Sequence, residues 1–242
     1  MMNIQAVLFD LGDTLSATAS LVGSLSDLVN SSLATDLNLD SRQLLSLGEE
    51  VEQCIGNLYA ENELNQPHWL DVWQQASTHI GLNLNSSEVE RLCRAHLKQF
   101  VSSCRVEPYS IPLLTKLKEE SIPLGLVSNV TGPVEIFDTD LRDKGLASFF
   151  EVIVWSSAVN YRKPDRKIFQ LTLNRLNLEP GNQIVMVGDN EQADIMGGKA
   201  MGFTTVKVIR EKRGTDSAAE YVVKGSELMQ FFQSALQSQR PS

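Results

Sequence analysis

Asp10, Ser128, Lys163 and Asp189 stand at or shortly beyond the ends of successive apolar runs in the 242-residue sequence. Each brings polar neighbours: Asp10-Leu11-Gly12-Asp13-Thr14, Ser128-Asn129, Arg162-Lys163-Pro164-Asp165, and Gly188-Asp189-Asn190-Glu191-Gln192-Ala193-Asp194. If the runs are strands of one parallel sheet, ligands belong at their carboxyl ends, so carboxylates, a lysine and a hydroxyl converge on one edge. Like charges gathered there repel and take up protons unless something positive sits among them. A hard divalent cation answers that need, and Mg²⁺ takes one or two carboxylates, waters and a substrate phosphate. Lys163 as a point charge and Ser128 as a donor suit the remaining phosphate oxygens. Asp10 is then available to attack phosphorus as a carboxylate nucleophile. Any one of these residues alone also fits a strand-end turn or a helix cap. Their recurrence at successive strand ends is what points to chemistry.

The elements that must position them are legible in the apolar pattern. Residues 4–9 form a short, mostly apolar run without alternation, as expected of a strand buried on both faces. Similar runs recur at 123–127, 152–155, 184–187, 205–209 and 221–223. Between them lie helix-period stretches. One places Leu113, Leu114 and Leu117 on a single face, and another does so with Ile168, Leu171, Thr172 and Leu176. Strands alternating with helices predict an α/β fold, a Rossmann-like doubly wound parallel sheet covered on both sides.

Residues 16–107 break this rhythm. They contain no convincing strand but several helical patterns. Ser87-Glu88-Val89-Glu90 reads as a capping box opening a stripe of Val89, Leu92, Leu97, Phe100 and Val101. Asp40 or Ser41 caps a second helix, and Trp69, Val72, Trp73 and Ala76 mark a third. The expectation is an all-helical cap domain over 16–107, inserted into a core made of 1–15 and 108–242.

Net charge is −9, and residues 16–107 carry most of it, with 5 Lys and Arg against 12 Asp and Glu. An acidic chain without a basic stripe is a poor partner for nucleic acid. No apolar run approaches the roughly 18 residues that span a bilayer. The start, MMNIQAVLFD, lacks the basic n-region of a signal peptide. Cys54, Cys93 and Cys104 form no CxxC pattern or Cys/His cluster, which disfavours a disulfide framework or structural zinc and fits a reducing, cytoplasmic setting.

Taken together the motifs resemble those of the haloacid dehalogenase-like superfamily with a helical cap inserted after the first motif. Phe9-Asp10-Leu11-Gly12-Asp13-Thr14-Leu15 is similar to motif one, and Val127-Ser128-Asn129 to motif two. Arg162-Lys163-Pro164-Asp165 with Ile168-Phe169 is similar to motif three. Val187-Gly188-Asp189 through Asp194, followed by Gly197-Gly198-Lys199-Ala200-Met201-Gly202, is similar to motif four. The resemblance implies that Asp10 is the nucleophile and a metal ligand, with Asp189 and the Gly12 backbone carbonyl as further ligands. It implies that Ser128, Asn129 and Lys163 bind the phosphate, and that Asp194 sits beside the metal site or the lysine. It further implies a strand order 5-4-1-2-3, a cap closing over the substrate, and Mg²⁺-dependent hydrolysis of a small phosphorylated metabolite through an aspartyl phosphate.

One departure matters. In phosphatases of this superfamily the residue two past the nucleophile is usually Asp, the general acid and base; here it is Gly12, and the carboxylate comes one later as Asp13. The loss is confined to proton transfer, worth roughly 10²–10⁴ in rate. Asp13 or a water replaces the acid, or the substrate carries a good leaving group, or the protein binds a phosphorylated ligand or a partner with little turnover. Dehalogenases also lack this Asp but lose the Gly-Asp pair kept here as Gly188-Asp189, which ranks dehalogenation last. A receiver domain shares the Asp, Mg²⁺ and Lys but needs no such cap. His68, His79 and His96 read as surface or packing residues, Trp69 and Trp73 as cap core, and no GxGxxG follows the first strand to hold a dinucleotide.

Overall fold

The computed structural model describes residues 3–61, 64–210 and 216–238. Met1, Met2 and residues 239–242, at the ends of the expected core, lie outside them. The six apolar runs form β1 (Ala6–Phe9), β4 (Leu124–Ser128), β5 (Val152–Trp155), β6 (Ile184–Gly188), β7 (Thr204–Ile209) and β8 (Tyr221–Lys224). They pair in the order β5-β4-β1-β6-β7-β8, every neighbour parallel. The expected order of the first five runs is met, and the sixth adds an edge strand. β1 is central, with Val7 opposite Leu124 on one side and Val185 on the other.

Side chains alternate across a strand, and β1 shows why its run had to be continuous. Val7 and Phe9 enter one apolar layer with Leu113, Leu114 and Leu117 of α6 (Ser110–Glu119), Ile136 and Phe137 of α7 (Val134–Asp143), and Phe232 of α11 (Leu228–Gln237). Ala6 and Leu8 enter the other, with Ile168, Phe169 and Leu173 of α9 (Arg166–Leu176). Both faces are therefore dry. Two short helical pieces complete the core, α8 (Ser156–Val159) and α10 (Gly197–Ala200), the latter preceded by a π-type turn at Glu191–Met196.

Between β1 and α6 the chain leaves the sheet as α1 (Leu21–Ser26), α2 (Ser32–Asp36), α3 (Ser41–Ala60), α4 (Trp69–His79) and α5 (Ser86–Ser103). Leu25, Leu44, Leu47, Trp73, Val89 and Leu97 bury their side chains together. The expectation of an all-helical insert over 16–107 is corrected: the insert departs and returns through β2 (Ser16–Ala17) and β3 (Arg105–Val106), an antiparallel pair. Two residues per strand are too few to show a period. The capping box also lies elsewhere. Asn85 Oδ1 accepts from the Ser87 and Glu88 N–H groups, and Glu88 Oε2 accepts from Asn85 N–H at 2.8 Å. At α3 the expected cap is present, Asp40 Oδ1 accepting from Gln43 N–H at 2.8 Å.

The insert also docks onto the core away from the ribbon. Asn65 bridges to Tyr161, Arg162 N–H donates to the Leu64 carbonyl, and Gln66 N–H donates to that of Asn160. Ser156 Oγ donates to Gln66 Oε1 at 2.8 Å. Arg94 Nη1 lies 2.5 Å from Glu135 Oε1.

Candidate active site

Parallel strands put all their carboxyl ends on one edge, and there the structure gathers the candidates. Asp10 follows β1, its N–H donating to the Val187 carbonyl of β6 at 2.9 Å. Ser128, the last residue of β4, donates its hydroxyl to Asp10 Oδ1 at 3.3 Å. Lys163 Nζ donates to Asp10 Oδ1 at 2.6 Å and to Asp194 Oδ1 at 2.7 Å. Carboxylate oxygens of Asp10, Asp189 and Asp194 lie within 4.8 Å of one another. Asp10, Lys163 and Asp194 are buried.

Local structure explains each placement. Asn190 caps the π-type turn, Oδ1 accepting from the Gln192 and Ala193 N–H groups. That turn swings Asp194 back beneath the strand end, where Asp194 Oδ2 accepts from Asn190 N–H at 3.0 Å. Only a glycine leaves room for it, since a Cβ on Gly188 would stand 2.2 Å from Asp194 Oδ2. Asn129 spends its side chain on Lys163: Nδ2 donates to the Lys163 carbonyl at 2.9 Å and Oδ1 accepts from the Lys163 N–H at 2.8 Å. Asn129, expected at the phosphate, lines the cavity with its side chain engaged on the lysine. Its amide positions the lysine backbone, leaving only its main chain for a ligand.

Asp13 is likewise committed. With φ at 52° it sits in the left-handed region, and its Oδ1 accepts from Thr18 N–H at 2.9 Å and from Arg210 at 2.5 Å. These bonds hold Oδ1 toward Arg210 and the Thr18 backbone, while Oδ2 carries neither. Around Gly12 the Leu11 carbonyl accepts from the Leu15 and Ser16 N–H groups, and Asp13 N–H donates to the Ser16 carbonyl. The Gly12 carbonyl takes no part in these bonds, and Gly12 lines the cavity.

Electrostatically the site is crowded. Burial works against charge on Lys163, but Asp10 and Asp194 outweigh it and hold the ammonium well above its usual range. Burial, reinforced by Asp10, Asp194 and Asp13, pushes the Asp189 carboxyl up to about 7. In Asp194 burial and Asp10 raise the pKa while Lys163 draws it down. One lysine among three carboxylates leaves excess negative charge, and every donor atom is oxygen. That set fits a hard divalent cation.

A cavity of about 350 Å³ opens above these groups, lined by Asp10, Gly12, Asp13, Ser128, Lys163 and Asp189 on the core side. Sequence reasoning missed its other walls: Thr18, Thr131 and Asn190, and the apolar Leu21, Ile55, Leu97, Phe100, Val130 and Phe137. Nothing in an apolar helix face announces that it will meet a cavity and not a core.

The histidines serve packing. His68 Nδ1 accepts from Leu70 N–H, and buried His96 lies 3.0 Å from the Leu21 carbonyl. His79 pairs with Glu50 at 2.8 Å. Cys54 joins that pair within 4.8 Å, so a Cys/His cluster absent from the linear sequence forms between α3 and α4. Trp73 is buried in the insert as expected, and Trp69 stacks on His68.

A hydrolase fold with carboxylates on the switch edge of its sheet is the class so defined. Residues 7–208 match the haloacid dehalogenase-like hydrolase family, and the chain belongs to it. It is 28% identical over 214 residues to a glyceraldehyde 3-phosphate phosphatase of Methanopyrus kandleri, covering 86% of this chain and 85% of that one. Among solved structures a phosphatase of the same superfamily from Thermococcus onnurineus superposes with a TM-score of 0.65 at 27% identity, covering 95% of this chain and 98% of that one. A 2-haloacid dehalogenase from Pseudomonas syringae gives a TM-score of 0.70 at 20% identity, covering 98% and 100%, a likeness of fold alone. No helix among the described residues is long and apolar enough to cross a membrane.

Proposed function

We propose that the chain is a Mg²⁺-dependent phosphatase that hydrolyses a small phosphomonoester through an aspartyl phosphate on Asp10. The observation that carries this reading is the constellation of Asp10, Asp189 and Asp194 around Lys163. Asp10 Oδ1 receives both Lys163 and Ser128, and its second oxygen carries neither bond and attacks phosphorus. The P–O bond to the leaving alcohol breaks as the Asp10–phosphorus bond forms. Lys163, held charged by two carboxylates, and the Ser128 hydroxyl take the phosphate oxygens. Water then cleaves the acyl phosphate, regenerating Asp10. Asp10, Asp189 and the Gly12 carbonyl would hold the cation, with Asp194 outside its shell; the cation supplies positive charge to the phosphate oxygens as charge shifts in the transition state.

Residues 16–107 act as the cap: they roof the cavity, exclude water and contact the leaving group. The substrate is a small phosphorylated metabolite, a class to which the glyceraldehyde 3-phosphate in the name of the Methanopyrus kandleri relative belongs. The compartment is the cytoplasm, in keeping with three unpaired cysteines. One observation favours a second reading, a phosphate-binding protein with little turnover: Gly12 offers no carboxylate, and Asp13 Oδ1 is held by Arg210 and the Thr18 N–H. The deciding experiment is Mg²⁺-dependent phosphate release from an aryl ester, with mass-spectrometric trapping of a phosphoryl group on Asp10. Turnover that vanishes in Asp10→Asn supports the hydrolase; tight phosphate binding without turnover supports the second reading.

A further inference from the structure

Resting on the phosphatase reading, we infer that the leaving group is aromatic and uncharged: the substrate is an aryl phosphate whose ring lies between insert and core. Two independent features of the cavity point to it. The first is the want of an acid. Where a carboxylic acid would protonate the departing oxygen there is Gly12, and a Cβ there would stand 3.1 Å from Thr18 Oγ1. That neighbour is an alcohol, far too weak an acid to serve. Asp13 is tied to Arg210 and the Thr18 N–H. The leaving oxygen therefore departs with its electron pair and no proton from the protein, and takes its proton from water. A phenolate, with a conjugate acid of pKa about 10, readily departs unprotonated. An alkoxide, about as basic as hydroxide at roughly 16, does not.

The second feature is the wall. Besides the carboxylates the cavity is lined by Leu21, Ile55, Leu97 and Phe100 from the insert and by Val130 and Phe137 from the core, with Thr18 and Thr131 among them. Lys163 is the one cationic side chain among the described lining residues, and Asp10 and Asp194 already hold it. No second cation among the described lining residues meets a further phosphate or a carboxylate, and an anionic body would face Asp13 and Asp189. An uncharged ring instead gains apolar area and the faces or edges of two phenylalanines. At about 350 Å³ the space suits a single ring with its phosphate.

The test compares phenyl, cyclohexyl and carboxyphenyl phosphates with the full chain and Mg²⁺. Phenyl phosphate should exceed the cyclohexyl ester about 100-fold in kcat/KM, of the order a missing general acid implies. Among ring-substituted phenyl phosphates, kcat/KM should rise as leaving-group pKa falls. The carboxyphenyl ester should be at least about tenfold poorer than phenyl, and Ile55→Lys, a half-buried position on α3, should narrow or reverse that ratio. Phe100→Ala should raise KM for phenyl phosphate more than it lowers kcat. Equal rates on phenyl and cyclohexyl esters, or a wild-type preference for the carboxylated ring, overturn the inference while leaving the hydrolase intact. If no ester is turned over, the hydrolase reading fails. Calorimetry then decides the cavity: phenylphosphonate binding tighter than methylphosphonate, and weakened by Phe100→Ala, upholds the aromatic site, and equal binding removes it.

Discussion

The carboxyl edge of the sheet and the insert's face above it are built on opposite principles. At the edge each group is fixed by directional bonds from the backbone or from its neighbour. Asn129 clamps Lys163, Lys163 joins Asp10 to Asp194, and Asn190 N–H fixes Asp194. Across the cavity Leu21, Ile55 and Phe100 are half-buried and offer only surface. A misplaced hydrogen bond in a buried network is costly, whereas apolar side chains of similar volume exchange at small cost. The difference teaches where tolerance resides: on the phosphatase reading the reaction would belong to the edge, which resists change, and the choice of substrate to the roof, which admits it.

The sharpest way to break that contrast is at the lysine. Lys163→Met leaves Asp10 and Asp194 buried together without their cation, which should cost about 3–5 kcal/mol in denaturant unfolding and remove turnover. A stable, active Lys163→Met protein would mean that the edge is as tolerant as the roof. Next in size, Gly12→Asp should raise kcat/KM on alkyl phosphates by roughly 10²-fold or more by restoring an acid. The new side chain must shift exposed Thr18 by a few tenths of an ångström. No gain would show that proton transfer does not limit the rate.

The two regions should also respond oppositely to pH. His96, deep in the insert, is pushed down from 6.5 to about 4 by burial, against the pull of the Leu21 carbonyl. It takes up a proton on unfolding, so its contribution is present above pH 6.5 and lost as pH falls through 6.5 toward about 4. The shift corresponds to roughly 3 kcal/mol. His96→Gln should flatten that acid limb in chemical denaturation. Asp189 behaves in reverse. Raised from 3.8 to about 7, it makes the metal-free fold lose stability as pH rises through that window. Added Mg²⁺ should therefore raise Tm more at about pH 8 than at about pH 5 in scanning calorimetry. An equal rise at both would detach Asp189 from the cation. The smallest effect is expected at the exposed Arg94–Glu135 pair between the regions, where Arg94→Ala should cost under about 1 kcal/mol.

The same division governs what could be read from the chain in advance. Continuous apolar runs such as 184–187 announce strands dry on both faces, and parallel topology then delivers Asp10, Ser128 and Asp189 to one edge without further information. Lys163 comes with them because α9 must start beside that edge. Orientation within the edge was beyond reach: that the Asn129 amide turns to the lysine and Asp13 to Arg210 depends on partners distant in sequence. The roof was unreadable for another reason. Leu21, Ile55 and Phe100 obey the same helical period as true core residues, and only docking of the insert separates a wall from a core. The meeting of Cys54 with His79, and the two-residue strands of the ribbon, are tertiary events of the same kind.

The strip from Asn160 to Lys163 has two tenants. Its backbone receives residues 64–66 of the insert through Asn160, Tyr161 and Arg162, and its next residue is the ammonium that bridges Asp10 and Asp194. A swing of the helices would therefore be felt one peptide away from the charge that pairs with Asp10. On the phosphatase reading, a shift of the roof would pull on the floor through a few main-chain bonds, at the residue beside the lysine that would meet phosphate.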